Sequence, residues 1–347
     1  MSRAMRVLAA DVGGTKTSVA IVRIGARSLS LLRSQIYSSA ESASLESILD
    51  QFLSSERGRL AAAGVGVAGP VVAGTAKVTK LPWTIDERRV TAAIGIERVQ
   101  VINDFVAAAL GISYLAPRQL LTIAAGRAEP RGPVALIGAG TGLGEAGLTW
   151  VAGRYEPLAS EGGHVDFGPR DAQQDRFVRF LRPRLGRVTR DRLLSGEGLG
   201  HAYDFLLHDG FAPERPNVRR AFGEGDRAAV VTRFALAGRD RLCAGALRLF
   251  MSIYGSEAGN LALQYRATGG LYVGGGIAPR ILPAFREPEF LEFFLRKPPL
   301  EALLSRVPVR VVRDPRLGLF GAAAAAYRTE IDTTRRSSKR SVRPSRL

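Results

Sequence analysis

The stretch VLAADVGGTKTSVAIV, residues 7–22, places a carboxylate and two glycines between two apolar segments. The alternation of apolar and polar residues on both sides predicts a strand, a tight turn and a second strand. A P-loop or a dinucleotide-binding fingerprint needs a helix directly after its glycines, so this pattern argues against both. Successive backbone N–H groups of a glycine turn can point into one concavity and bind an anion. The stretch therefore indicates an anion-binding hairpin.

Asp11 stands where the first of these strands ends. A carboxylate cannot itself bind phosphate. It makes chemical sense if a Mg²⁺ ion, held through water, lies between the carboxylate and the phosphates of a nucleotide. Thr15 adds a hydroxyl donor to the same turn.

A similar hairpin recurs in the second half of the chain as GAGTGLGEAGL, residues 138–148, with Thr141 in its turn. A third glycine cluster, GGLYVGGGIAPRIL at residues 269–282, predicts a strand followed by a triple-glycine turn. Any one cluster alone is read as an ordinary turn. The three together favour a nucleotide site built from two similar β-rich halves.

Composition sets the broad class. The chain has 347 residues, enough for two domains, and one cysteine, which excludes an internal disulfide and a multi-cysteine zinc site. No apolar run has the length of a membrane span, and no signal-peptide core is present, so we expect a cytoplasmic protein without a membrane partner.

The net charge of +17 comes mainly from arginine. Basic surfaces can bind nucleic acid, but no basic helix interleaved with aromatic residues is present. We interpret the arginines as solvated surface and expect no nucleic-acid partner. The basic segment 331–347 lacks apolar periodicity and is predicted to be disordered, and it leaves slight room for anionic partners.

The coarse pattern alternates strands and helices. We expect one helix at residues 44–56 and another that begins at a capping box formed by Thr84 and Glu87. Helices should also make up most of residues 171–268. An alanine-rich helix at residues 317–328 follows a final strand. The segment VQVINDFVAAALGI, residues 99–112, reads as a strand that runs into a helix at Asn103 and Asp104.

Two polar clusters could act on a ligand. Asp104 could accept the proton of a hydroxyl group, although Asn103 and Asp104 are also good helix caps, and the residues alone favour the cap. Glu161 and His164 flank two glycines in EGGHVDF, where the carboxylate can accept and the imidazole can donate or accept hydrogen bonds. Asp166 is the rival acid, but it lies in an alternating segment that predicts a structural strand residue.

The motifs DVGGT, GAGTGLG and GGLYVGGGI resemble the phosphate-1, phosphate-2 and adenosine motifs of the superfamily of sugar kinases, heat-shock chaperones and actin. INDF, EGGHVDF and LSGEGL narrow the resemblance to the bacterial glucokinases. The matching motifs run in order from Asp11 to about Gly321.

The resemblance implies an α/β, two-lobed actin-like or ribonuclease H-like ATPase fold, with mixed sheets flanked by helices and an interlobe cleft. It implies a small lobe of residues 1–112 plus 315–330 that carries the phosphate-1 turn, the catalytic aspartate and part of the sugar site. Residues 113–314 would form a large lobe with the phosphate-2 turn, the adenosine motif and the rest of the sugar site. Residues 331–347 remain outside both as the basic disordered tail.

The implied activity is ATP-dependent phosphorylation of D-glucose to glucose 6-phosphate by direct phosphoryl transfer, with Asp104 as general base and Mg²⁺ as cofactor. A homodimer is also implied. The implied glucose contacts are Asn103, Asp104, Glu161, His164 and Asp191. The implied nucleotide contacts are Ala10, Asp11, Val12, Gly13, Gly14, Thr15, Gly140, Thr141, Gly142, Gly274, Gly275 and Gly276.

Two positions depart from the glucokinase pattern. Asp191 stands where the family usually has Glu, and Lys80 stands where Asn is common, so sugar specificity is open. The alternatives are a kinase for another hexose or an amino sugar, and a non-catalytic sugar or nucleotide sensor. The phosphoryl donor could also be polyphosphate or ADP. A sugar-responsive regulator would need a helix-turn-helix before residue 6, for which we see no room.

Overall fold

The structure is a computed structural model that describes residues 4–341, and its side chains are described as far as Thr334. The chain divides into two compact units. Unit 1 combines residues 4–116 with residues 316–341, and unit 2 is formed by residues 117–315. Across residues 4–341, no helix combines the length and the apolar character that a membrane span requires.

Unit 1 is built on a five-stranded mixed sheet in the order β3-β2-β1-β4-β8. The first three strands form an antiparallel meander, whereas β1, β4 and β8 run parallel. A small antiparallel sheet contains β5, β6 and β7. The strands are β1 (Met5–Val12), β2 (Lys16–Ile24), β3 (Leu29–Ser38), β4 (Ala63–Val67), β5 (Val71–Val72), β6 (Thr75–Lys77), β7 (Thr84–Asp86) and β8 (Val99–Asn103). The helices are α1 (Leu45–Leu53), α2 (Glu87–Ile94), α3 (Asp104–Gly111) and, from the end of the chain, α12 (Leu317–Ser341).

Helix α12 completes unit 1 because its run of alanines is almost fully buried and packs against β1, β4 and α3. Small side chains let the helix approach the sheet closely. A Cβ on Gly64 of β4 would overlap the backbone of Ala322 in α12, so glycine is required at that crossing.

Unit 2 is built on a six-stranded mixed sheet in the order β12-β11-β10-β13-β14-β9. Its strands are β9 (Leu120–Ala124), β10 (Val134–Ala139), β11 (Leu143–Val151), β12 (Arg154–Ser160), β13 (Gly270–Gly274) and β14 (Val309–Val312). Its helices are α4 (Ala172–Leu185), α5 (Arg190–Leu193), α6 (Gly196–His208), α7 (Pro216–Glu224), α8 (Arg227–Leu236), α9 (Arg241–Gln264), α10 (Pro288–Leu295) and α11 (Glu301–Leu304). The long α9 is buried along most of its length and forms the centre of the unit 2 core.

The α/β class, with mixed sheets and flanking helices, is confirmed. Both predicted glycine hairpins are present as β1–β2 and β10–β11, and β8 runs directly into α3.

Three local predictions were wrong. Thr84 does not begin a helix, because it pairs with Lys77 in the small sheet and Asp86 caps α2 instead. Asp166 makes only an isolated bridge to Thr189 and is not part of a regular strand.

The third error concerns the predicted disorder. Residues 331–341 continue α12, because each further helical residue adds a backbone hydrogen bond once the helix is nucleated. The hydroxyl of Thr333 also donates to the carbonyl of Thr329. Residues 342–347 of the predicted tail lie outside the described residues.

Candidate active site

The first cluster of site residues lies at one edge of the unit 1 sheet. Strands β1, β4 and β8 are parallel neighbours, and Asp11 is in register with Gly66 on β4. Asn103 ends β8 and Asp104 begins α3. A Cβ built on Gly66 would lie 3.8 Å from the Cα of Asp104, which places Asp11 and Asp104 on either side of one glycine. The carboxyl ends of parallel strands are where ligands bind in α/β proteins.

The Asp11 carboxylate is in an unusual electrostatic position. Burial, and then the neighbouring charge of Asp104, raise the pKa of Asp11 to about 7. The first turn of α12 lies beside it, since a Cβ on Gly318 would be 2.6 Å from Asp11 Oδ2. A cation bound near Asp11 would offset the repulsion between the two carboxylates.

A Mg²⁺ ion is compatible with this donor set. Magnesium is commonly held by one or two carboxylates together with waters and substrate phosphates, not by a cage of protein ligands alone. No group of three or more His, Cys, Asp or Glu residues in the described part of the chain could hold a metal ion. Asp11 therefore fits a magnesium ion that arrives with a nucleotide.

The phosphate-1 turn, residues 13–15, closes when the Gly13 N–H donates to the carbonyl of Lys16 at 3.0 Å. Gly14 lies against the backbone of Thr79, whose carbonyl oxygen would be 2.9 Å from an added Cβ. Thr15 and Lys16 are exposed.

Ala10 and Val12 are not on the surface of this turn. Both are fully buried in the unit 1 core, because alternate residues of β1 face inward. Their side chains therefore lie beneath the turn, so any contact of these two residues with a nucleotide would be made by their backbone atoms.

Asn103 caps α3 and still keeps a free donor. Its Oδ1 accepts hydrogen bonds from the N–H groups of Phe105 and Val106, at 2.9 and 3.1 Å. Its Nδ2 donates to the carbonyl of Gly69 at 3.1 Å. Because an amide nitrogen carries two protons, one N–H remains for a ligand. The capping reading is correct, and it leaves a binding role open.

In unit 2, the sugar turn, residues 161–164, follows β12 as a single 3₁₀ turn with Glu161 and His164 exposed. His164 Nδ1 lies 3.6 Å from Asp191 Oδ2. The hydroxyl of Thr189 donates to the other oxygen of Asp191. The structure thus brings His164 and Asp191 together from separate segments, although Asp191 has the shorter acidic side chain.

Three other charged residues lie at the surface. Asp166 forms an exposed ion pair with Arg187. Glu197 is exposed in the first turn of α6. Lys80 is exposed with φ +70°, a left-handed conformation that Asn adopts more readily than Lys.

The unit 2 glycine clusters meet at another strand edge. β10 and β13 are parallel neighbours with Gly138 opposite Gly274. The phosphate-2 turn, residues 140–142, and the glycine turn, residues 274–276, therefore leave the sheet side by side. Gly275 needs its φ of +81° and would clash with Ala139 if it carried a Cβ.

The N-terminus of α6 adds backbone donors to this region. The N–H of Gly196 donates to the carbonyl of Gly140 at 3.0 Å. Thr141, Gly142, Gly275 and Gly276 are exposed. Exposed backbone amides near a helix N-terminus are suited to bind phosphate oxygens.

Sequence reasoning missed a set of buried charges behind the sugar turn. Glu145 on β11 and Glu257 on α9 are almost fully buried, and Arg190, the residue before Asp191, lies between them. A charged residue at an inward position of an apolar strand was the available signal for Glu145. Nothing local indicated which cation it meets.

Comparisons with known proteins identify the family of the chain. A sequence model of the family described as Glucokinase matches residues 8–329. A curated glucokinase of Nostoc sp. is 38% identical over 338 residues, which cover 93% of this chain and 99% of that protein. A curated glucokinase of Yersinia pestis is 35% identical over 318 residues, with 91% and 95% of the two chains covered.

A solved structure shows the same fold. The crystal structure of a glucokinase from an Antarctic psychrotroph superimposes with a TM-score of 0.81 at 31% identity and covers 93% of this chain and 99% of that one. Each of these matches spans both units of the chain.

Proposed function

This chain belongs to the glucokinase family, and we propose that it transfers the γ-phosphoryl group of ATP directly to the 6-hydroxyl of D-glucose, with Asp104 as the base. The observation that carries the assignment of the base is the pairing of Asp11 and Asp104 at the carboxyl edge of β1, β4 and β8. One carboxylate is needed at the nucleotide and another at the attacking hydroxyl.

Asp104 is held in a suitable place for proton transfer. It is half-buried in the first turn of α3, and its Oδ1 accepts from the N–H of Phe105 at 2.9 Å. A carboxylate positioned within hydrogen-bond reach of a sugar hydroxyl orients that oxygen and accepts its proton as the phosphoryl group arrives. The remaining N–H of Asn103 would hold a neighbouring sugar hydroxyl.

Asp11 would hold Mg²⁺, with water between them, next to the nucleotide phosphates. When bound, the ion neutralises charge on the phosphates. Asp11 itself must be ionised for this role, and a nearby cation would lower its pKa from about 7 and so favour the charged form.

Unit 2, taken by itself, also offers polar groups to a sugar. Glu161 would accept hydrogen bonds from two sugar hydroxyls, and His164 and Asp191 would bind as a pair, since their side chains already lie 3.6 Å apart. In unit 1, the phosphate-1 turn would offer a nucleotide Thr15 and backbone N–H groups. In unit 2, the phosphate-2 and glycine turns would offer Thr141 and backbone N–H groups.

A cytoplasmic location and a homodimeric state belong to the same proposal. The use of ATP supports a cytoplasmic location, because ATP is available in the cytoplasm. Light scattering on the purified protein tests whether it is a homodimer.

The first test measures ADP release with ATP and Mg²⁺ across glucose, mannose, fructose, glucosamine and N-acetylglucosamine. We expect a clear preference for glucose. Preference for another sugar would move the assignment to a different hexose kinase. Turnover with polyphosphate or ADP, but not with ATP, would show that ATP is not the phosphoryl donor.

The second test isolates the base. Asp104→Asn keeps the shape of the side chain and should lower kcat by roughly 10²–10⁴-fold. The matched control is Asp86→Asn, which removes a carboxylate from the N-terminus of α2 in the same unit, where Asn caps as well as Asp. Full activity in the Asp104 variant would refute the assignment.

A further inference from the structure

The sugar turn rests on a buried carboxylate. Glu145 on β11 stands opposite Ser160 on β12, the residue that precedes the turn. A Cβ on Gly162 would overlap Glu145 Oε2, and a Cβ on Gly163 would overlap the carbonyl of Leu143. The two glycines therefore allow the turn to lie directly on β11 and on the side chain of Glu145.

Arg190 connects this support to the rest of unit 2. Its Nη1 lies 2.6 Å from Glu257 Oε1 and 3.7 Å from Glu145 Oε2. The backbone N–H of Arg190 donates to the carbonyl of Val165, just after the sugar turn, at 3.1 Å. The next residue in the chain is Asp191, which is proposed to bind the sugar. One short segment therefore carries Asp191 and contacts both the sugar turn and the buried acids.

The three side chains do not balance if all are charged. Both Glu145 oxygens and Glu257 Oε1 are buried without a hydrogen-bond donor in good geometry. Arg190 contacts Glu257 closely but Glu145 only at 3.7 Å, and the buried Lys297 acts on Glu257 and not on Glu145. A charged Glu145 would therefore lack full compensation, which is costly. If Glu145 is protonated and its O–H forms a hydrogen bond to Glu257, the unsatisfied oxygens gain a partner and the excess negative charge disappears. The group then carries one carboxylic acid, one carboxylate and one guanidinium.

The surroundings agree with a protonated Glu145. Burial, and then the charge of Glu257, raise the pKa of Glu145 to about 8, and Arg190 lowers it only in part. On α9, Tyr254 also faces Glu145, and burial raises the pKa of its hydroxyl so far that it stays neutral. Beyond Glu257, Lys297 donates to Asn260 at 2.7 Å, and burial, with Arg170 nearby, lowers the pKa of Lys297 to about 8.

We propose that Glu145, Arg190 and Glu257, the buried triad, position the sugar turn and Asp191 for glucose through a proton shared between the two carboxyl groups. Arg190 and Glu145 are positioning residues, since they act through Gly162, Val165 and Asp191. Ionisation of Glu145 places a second negative charge beneath Gly162, and the turn must shift to let water reach it. The inference rests on the proposed function, because it requires that the sugar turn binds glucose.

The decisive experiment is the pH profile of glucose affinity, measured by calorimetry without ATP. The wild-type Kd should rise between pH 7 and pH 9, by up to about tenfold if the ionised form does not bind. Glu145→Gln has the same shape but cannot ionise, so its Kd should stay flat over this range. An equal rise in Glu145→Gln would overturn the inference.

A second variant tests the cation. Arg190→Gln leaves the two acids without their partner and should raise KM for glucose by roughly tenfold or more, with KM for ATP nearly unchanged. The control is Arg187→Gln, which breaks the exposed pair with Asp166 in the same segment and should leave both constants unchanged. An Arg190 variant that raised both KM values equally would contradict a role specific to the sugar turn.

The two proposals can fail separately. If the wild-type protein does not bind glucose at any pH, the proposed function fails. If glucose binds and is phosphorylated, but the pH profiles of wild type and Glu145→Gln coincide, only the positioning role fails. Should Arg190→Gln not fold, the Glu145→Gln profile decides alone.

Discussion

Gly163 shows how tightly a single residue is constrained in the sugar turn. The carbonyl of Leu143 occupies the space that a side chain on Gly163 would need. A backbone carbonyl in a paired strand cannot move aside as a flexible side chain can. The turn and β11 therefore behave as one layer.

Gly163→Ala should accordingly lower the free energy of unfolding by about 1–3 kcal/mol through overpacking. It should also weaken glucose binding. The control is Gly168→Ala, where an added Cβ meets no atom within 4 Å. Urea unfolding and glucose calorimetry check both. Equal effects of the two variants would contradict the close contact.

Glu145 gives a stability prediction with a definite sign. Its folded-state pKa of about 8 lies above the ordinary value of 4.5, so between these two pH values the folded protein holds a proton that the unfolded chain has lost. Wild-type stability therefore falls as pH rises from about 5 to 8. Glu145→Gln lacks this contribution, and its stability relative to wild type should increase over the same window. Urea midpoints at pH 5, 6.5 and 8 measure the trend, and a constant difference would contradict it.

At the scale of elements, Asn103 joins β8 to α3 and serves two purposes that substitution can separate. Asn103→Ala removes the cap and the free N–H, and should lose about 1 kcal/mol of stability together with glucose affinity. Asn103→Asp restores an oxygen for the cap but has no amide proton. It should recover the part of the stability that the cap contributes, though not the bond from Nδ2 to the carbonyl of Gly69, and it should not recover KM for glucose. Recovery of both would make Asn103 a cap alone.

Which contacts sequence could predict depends on their range. The passage from β8 to α3 was predictable because its signals are neighbours: an apolar strand, then Asn and Asp, then a helical pattern. The start of α2 was misplaced because Thr84 pairs with Lys77, a contact that local capping rules do not include. The buried triad could not be predicted, since its members come from β11, α5 and α9 and meet only after unit 2 folds.

For the whole molecule, the end of the chain offers a prediction about charge and stability. Truncation after Thr334 removes six of the basic residues behind the net charge of +17. Turnover and stability should not change, because the described contacts of α12 with the sheet precede this point. Truncation after Tyr327 also removes the Arg98–Glu330 ion pair and the bond from Thr329 to Gln100, and should lose about 1–2 kcal/mol.

Thermal unfolding and ADP release compare these truncations. A loss of activity on cutting after Thr334 would assign a role to the basic end. Binding of a labelled oligonucleotide at low salt, lost in the same truncation, would overturn our expectation of no nucleic-acid partner.

The discontinuity of unit 1 has a consequence for synthesis on the ribosome. The sheet of unit 1 is made first, but α12, which covers its apolar face, follows only after the roughly 200 residues of unit 2. At ordinary elongation rates, this is a delay of about 10–40 s. Unit 2 is continuous and can fold during that interval, whereas the nascent unit 1 must wait with the surface for α12 uncovered. We therefore expect the N-terminal part to be the segment of the newborn chain that most needs a chaperone.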